Sequence, residues 1–403
     1  MPINRRVLLL ILLATIANFS STAAQTSTEL RAQVTKELKQ RGLIQQPAAK
    51  VVATNDSLQI HEDVVYTTVG DRQLHMDIFQ PQNANHLPAI LVIHGGGWLK
   101  GGKDKFHPLA RYLAQYGFVT AAVEYRLGTE ALFPAAIQDC NTATRFLRKS
   151  AKRYHIDPHR IGAIGGSAGG HLVGLMATST GKPELLGPAY ADFNSTLQSA
   201  IVLAGPLDLL TGPVAERSRQ QPEISNSNKW IGKTVDQAPA TYKLASPLYH
   251  INSNTPPIHF LLGEYDLPSR NIASRQALAK YQTVSHLHVY RFGLHGCWNN
   301  SPWIHPLADD AARLFANDLN SDLSPRNLQH GADVTNITNH HDHLLLSTTS
   351  RSNGKFSIPR YHARIGTTYI KGDPDKTPLK VTPEIEHWII DIPADAAADA
   401  EVI

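Results

Sequence analysis

The chain has 403 residues, 42% hydrophobic and 18% charged, which supplies a sizeable core and excludes global disorder. Lysine plus arginine (38) against aspartate plus glutamate (34) leaves a formal charge of +4 with no long basic run. A nucleic-acid partner, which needs clustered Lys and Arg, is therefore not expected. Two cysteines, Cys140 and Cys297, cannot build a disulfide framework or a four-cysteine zinc site, although export would permit a bridge between them.

Arg5 and Arg6 precede an apolar run from Val7 to Ile16, broken only by Thr15, and then small and polar residues to Ala23 and Ala24. This pattern predicts a secretory signal peptide over 1–24, a mature chain from near Gln25, and a secreted or periplasmic location. The run is half of the roughly 20 apolar residues that a membrane span needs, so no stable membrane insertion is expected after cleavage. Residues 25–57 read as an N-terminal helical segment, amphipathic from Glu29 to Gly42.

From Leu58 to about residue 320 short apolar strands alternate with longer helical stretches. Strands are predicted at Ala89–Ile93, Phe118–Glu124, Ile161–Ile164, Ala200–Ala204, Ile258–Leu262 and Leu287–Phe292. Helices are predicted at His107–Tyr116, Ala168–Thr178, Ile272–Tyr281 and Pro306–Leu319. Phe133, Ile137, Cys140, Ala143, Leu147 and Ala151 recur at helical spacing and mark one more buried stripe, on which Cys140 packs as a small apolar group. The alternation implies an α/β fold with a mostly parallel central sheet and helices on both faces. The stretch from Pro183 to Trp230 is polar and rich in scattered prolines, and reads as an insertion contributing to a cap. Residues 321–352, with His340, His341, Asp342 and His343, read as a polar linker rather than a metal site. Residues 353–403 read as a short β-rich tail, with two or three strands in TTYIKGD and PLKVTPEIEHWIIDIP.

Gly165-Gly166-Ser167-Ala168-Gly169 fits G-x-S-x-G between a strand and a helix, the context that raises a serine hydroxyl above a sheet. The helix that follows favours negative charge developing at its N-terminus. Seventy-three residues earlier, His94-Gly95-Gly96-Gly97-Trp98 directly follows a strand. Its glycines can bring backbone N–H groups close to a bound carbonyl, so Gly96, Gly97 and Ala168 are predicted to form an oxyanion hole. A phosphate cradle is disfavoured, because no Gly-Lys-Ser/Thr opens the next helix. His94 is expected to orient the loop. In this fold the order is serine, acid, histidine. Asp266 in GEYDLP and His295 in GLHGCW, 29 residues on, follow strand ends and are the predicted acid and base. Asp208 and Glu264 are rival acids, and His286, His288 and His305 rival bases. A histidine base predicts activity that falls as the imidazole is protonated in acid.

The run HGGGWLKGGKDK, with VEYRL, FPAAIQDC, RIGAIGGSAGGHL and the GEYD and LHGCW loops, resembles the α/β-hydrolase serine esterases. The likeness is to the branch related to bacterial feruloyl and acetyl-xylan esterases, near the hormone-sensitive-lipase-like carboxylesterases and the kynurenine formamidases. It implies Ser167, Asp266 and His295 as triad, no metal or organic cofactor, and an ester substrate that is a small molecule or a polysaccharide bearing acetyl or feruloyl groups. Trp98 and Trp298 are expected to bind substrate. The alternatives are a general carboxylesterase or lipase, a formamidase, or a non-catalytic binding module on the same fold; oligomeric state is left open. Thr367 to Ile403 resembles the end of an α-L-fucosidase β-sandwich, without the barrel that would carry glycosidase chemistry.

Overall fold

A computed structural model describes residues 58–82, 84–291, 293–300 and 303–321, together with six short strands further on. The chain divides between Gln45 and Gln46 into two units, and every described residue belongs to the second. The expected signal peptide, the N-terminal helical segment, the histidine run 340–343 and the TTYIKGD segment lie outside the described residues.

Strands β1 (Leu58–Val69) and β2 (Arg72–Pro81) form an antiparallel hairpin at one edge of an eight-stranded sheet. The others are β3 (Leu87–Ile93), β4 (Val119–Val123), β5 (Ile156–Gly166), β6 (Ser199–Leu203), β7 (Ile258–Gly263) and β8 (Leu287–Tyr290). Their order is β1-β2-β4-β3-β5-β6-β7-β8, antiparallel through β2–β4 and parallel from β4 onward. All residues of β4, β6 and β7 are buried. That is why these strands are continuous apolar runs rather than alternating ones.

Between the strands lie α1 (His107–Gln115), α2 (Ala135–Lys149) and α3 (Ala168–Thr178). Later come α4 (Gly212–Gln220), α5 (Asn226–Ile231), α6 (Pro239–Leu244), α7 (Ile272–Lys280) and α8 (Ile304–Asp318). From β3 the chain steps to β4 on one side and then returns past β3 to β5 on the other. With right-handed crossovers this reversal puts α1 on the opposite face from α2 and α3. Accordingly α1 packs against α8, and α2 against α3. The predicted stripe is the core face of α2, where Ile137, Cys140, Ala143 and Leu147 have no exposed surface. The topology is that of an α/β-hydrolase fold. Among the described residues no helix is long and apolar enough to cross a membrane.

Two expectations change. The supposed insertion at 183–230 is not continuous, because β6 runs through its middle as a central strand; the segment outside the sheet joins β6 to β7 and carries α4, α5 and α6. The strand itself is expected at Ala200–Ala204; the polar, proline-scattered flanks hide that it divides the stretch in two. The stretch expected as a linker holds two antiparallel strands, β9 (Val334–Asn339) and β10 (Leu344–Thr348), whose branched residues outweigh the polar average. Strand β14 (Glu401–Val402) pairs with β10. The tail forms a second three-stranded antiparallel sheet from β11 (Lys355–Pro359), β12 (Lys380–Pro383) and β13 (His387–Asp391). Cys140 and Cys297 are free and buried, Cys140 on the stripe of α2 where it is expected to pack as a small apolar group.

Candidate active site

The turn from β5 into α3 places Ser167 at φ 56° and ψ −119°. A non-glycine residue at such a φ costs of order 1–3 kcal/mol, which the surroundings must offset. Here the Ser167 N–H donates to Leu203 O at 2.8 Å and its carbonyl accepts from His171 N at 3.0 Å, so the turn is clamped to β6 and α3.

His295 follows β8 on a loop, and its Nε2 lies 2.9 Å from Ser167 Oγ. Its Nδ1 lies 2.7 Å from Asp266 Oδ2. A carboxylate only accepts, so the imidazole proton sits on Nδ1 and leaves Nε2 to receive the serine proton. Asp266 has no exposed surface. Its second oxygen accepts from Arg270 Nη2 at 3.3 Å, while Arg270 Nη1 donates to Ala204 O at 2.6 Å. Arg270 thus ties the acid to the end of β6, the strand that also clamps the nucleophile.

The loops carrying acid and base touch through their backbones. Tyr265 N donates to Gly293 O and Glu264 N to Tyr290 O, both at 2.9 Å. A Cβ on Gly263 would collide with the main chain of Gly293, and a Cβ on Gly293 would come within 2.7 Å of the Gly263 Cα. Only glycine at both positions permits this approach.

The His94–Trp98 loop reaches the same end of the sheet from β3. Gly96 (φ 136°) and Gly97 (φ 63°) hold backbone conformations that side chains disfavour, and a Cβ on Gly96 would run into the Lys100 carbonyl. Among the described residues the N–H groups of Gly96, Gly97 and Ala168 donate to no protein acceptor. They are thus available to an incoming oxyanion. His94 fixes the loop as expected: its ring stacks on Tyr125 at 4.3 Å, and Tyr125 Oη donates to His94 O at 2.9 Å. Burial lowers the pKa of His94, keeping it neutral. The loop's far end is pinned by Lys103, which bonds the buried Asp77 carboxylate at 2.7 and 2.8 Å; His107 adds a third contact at 2.7 Å. These bonds hold Asp77 down at about 2 against the desolvation that burial imposes.

Every predicted member of the relay is therefore brought together; of the rivals, Glu264 is exposed on the acid loop, and the others are employed elsewhere. Asp208 accepts from Leu210 N at 2.8 Å and from Thr211. His286 stacks on His259, His288 pairs with Asp310 at 3.4 Å, and His305 lies against Tyr112. The two tryptophans correct an expectation. Trp98 is 6% exposed, donates to His171 Nδ1 at 3.2 Å and stacks on Trp230 at 5.0 Å. Trp298 is 2% exposed and sits edge-on to the His295 ring. A large ring with so little open surface supports the site from behind instead of meeting substrate. Arg270 and the Asp77–Lys103 anchor were missed in the sequence, where an arginine four positions beyond the acid is the only hint.

The BD-FAE family profile matches residues 76–280, from β2 through α7. The chain belongs to the BD-FAE family. The match takes in the oxyanion loop, Ser167 and Asp266, with His295 in the part that follows. A probable carboxylic ester hydrolase of Mycobacterium tuberculosis, LipM, is 29% identical over 208 residues, which is 51% of this chain and 47% of that protein. The chain thus spans about half the length of the curated relatives it matches. Among solved structures, an esterase from Thermogutta terrifontis is 25% identical at a TM-score of 0.54, covering 68% of this chain and 96% of that one. A truncated carbohydrate esterase from gut microbiota reaches a TM-score of 0.57 over 67% of this chain and 99% of its own, at 22% identity, a likeness of fold. For a BD-FAE chain the serine, imidazole and buried carboxylate stand in the arrangement that acyl transfer requires.

Proposed function

We propose that this protein is a serine esterase that hydrolyses carboxylic esters through an acyl-enzyme. The relay carries this reading: Ser167 Oγ lies 2.9 Å from His295 Nε2, and His295 Nδ1 lies 2.7 Å from the buried Asp266. Ser167 Oγ attacks the ester carbonyl as its proton passes to His295 Nε2. The carbonyl oxygen becomes an oxyanion facing the amides of Gly96, Gly97 and Ala168. One such donor is typically worth about 3 kcal/mol in the transition state. His295 returns the proton to the departing alcohol oxygen, and the C–O bond breaks. A water then gives a proton to His295 and attacks the acyl-serine; His295 passes that proton to Ser167 Oγ as the acyl C–O bond breaks, which releases the acid and restores Ser167.

The finer reading is an exported enzyme acting on acetyl or feruloyl groups of plant or algal polysaccharides. The motif resemblance supports the substrate class, and the charged start and apolar run at residues 5–16 support export. The side chain of His295 is 36% exposed, so the face from which the alcohol leaves can accept a bulky group.

Ser167→Ala should abolish hydrolysis of p-nitrophenyl acetate and labelling by a fluorophosphonate probe while the circular dichroism spectrum is unchanged. Full activity in that variant would end the proposal. A panel of acetylated xylan, acetylated pectin, feruloylated and p-nitrophenyl esters separates the substrate classes.

A further inference from the structure

The oxyanion loop has a neighbour that the proton relay does not use. Asn226 opens α5, in the segment between β6 and β7. Its side-chain amide packs directly on Gly97: a Cβ placed there would overlap Asn226 Nδ2 and lie 3.1 Å from its Cγ. Asn226 is exposed, and among the described residues its amide makes no hydrogen bond.

An exposed polar side chain ordinarily just faces water. This one is held in place by a buried network on either side of it. Ser225 Oγ bonds Ser227 Oγ at 2.9 Å. Asn228 Nδ2 donates to Ser218 O at 3.0 Å and Pro222 O at 3.1 Å, and its Oδ1 accepts from Tyr242 Oη at 2.7 Å. Four residues beyond Asn226, Trp230 has no exposed surface and stacks on Trp98, the residue after Gly97. The backbone bearing Asn226 is therefore locked against the backbone bearing the oxyanion donors, and its amide lies on Gly97 beside them.

An oxyanion has three lone pairs, and the amides of Gly96, Gly97 and Ala168 match all three. A fourth donor beside them, open to solvent, has another group to serve. An alkyl acyl chain offers it no polar atom, whereas a polyol or sugar alcohol carries hydroxyls next to the ester oxygen. We propose that Asn226 is a specificity-determining residue that hydrogen-bonds a hydroxyl on the alcohol half of the ester and so favours esters of sugars and polyols. This inference rests on the esterase reading above.

The test compares wild type with Asn226→Ala on two acetate esters, p-nitrophenyl acetate and a mono-O-acetylated methyl xyloside. One neutral hydrogen bond corresponds to up to about tenfold in rate or binding. The variant should therefore lose about five- to tenfold in kcat/KM on the sugar ester, mainly through KM, and stay within about twofold on the aryl ester. An equal fall on both esters, assigning the amide to the oxyanion or to the loop's integrity, overturns the inference. So does an unchanged rate on both, or a wild type that cleaves the aryl ester but not the sugar ester. The esterase reading fails separately: there, wild type and Ser167→Ala would be equally inactive on both substrates.

Discussion

Asp266→Asn isolates the role of the buried acid, because it removes a charge and almost no volume. In wild type the carboxylate accepts from Nδ1 of His295 at 2.7 Å and so leaves Nε2 bare toward Ser167. Asparagine can offer Nδ1 an N–H instead. That favours the opposite tautomer, whose Nε2–H faces the serine hydroxyl and cannot take its proton. The transition state suffers as well. An imidazolium and a carboxylate 2.7 Å apart attract by about 6 kcal/mol at an effective dielectric of about 20. Arg270, bonded to the other carboxylate oxygen at 3.3 Å, offsets part of this by repelling the imidazolium. A net loss of about 5 kcal/mol corresponds to about 10⁴-fold in kcat, the size typical of a triad acid turned into its amide. The assay is steady-state hydrolysis of p-nitrophenyl acetate at mildly alkaline pH, with circular dichroism to confirm folding. A loss below about tenfold would mean that Asp266 neither sets the tautomer nor stabilises the imidazolium.

Gly96→Ala should destabilise the oxyanion loop by about 2 kcal/mol or more and cut kcat, since its Cβ would overlap the Lys100 carbonyl at φ 136°. An unchanged melting temperature with full activity would contradict this. Burial holds the His171 pKa down to about 4 from an ordinary 6.5. Its Nδ1 accepts from Trp98 and its Nε2 donates to Ala245 O. The unfolded chain takes up this proton below about pH 6.5 and the folded one does not, so stability is full above that pH. It falls by up to about 3 kcal/mol as pH drops toward 4. Urea midpoints across that range should show the slope in wild type and a shallower one in His171→Gln; identical slopes would clear His171 of the effect. Burial pushes the Cys297 thiol up to about 12 and raises that of Cys140 well above the ordinary range. Iodoacetamide should therefore modify neither cysteine until denaturant is added, and mass spectrometry showing rapid native labelling would refute it.

The relay was legible because its residues stand next to backbone punctuation. Ser167 lies between glycines at a strand-to-helix junction, and Asp266 and His295 each follow an apolar strand. The helices were legible to within one or two residues where one face is buried, as in α1. The β1–β2 hairpin was not, because Leu58–Val69 is an edge strand with buried and exposed residues mixed irregularly. Trp98 and Trp298 misled because side-chain type does not reveal direction: a tryptophan beside a catalytic loop can face the ligand or hold the loop up. Asn226 could not be singled out at all. Its significance comes from lying on Gly97, 129 positions earlier in the chain, and only the folded backbone creates that juxtaposition.

The glycine pair Gly263 and Gly293 has a consequence for engineering. Main-chain contacts set the spacing of the two loops, so an exposed position on the acid loop such as Ser269 can be varied without moving acid from base. A library confined to that site should keep its turnover machinery. One methyl added at either glycine would pry the two loops apart and silence every member of the library at once.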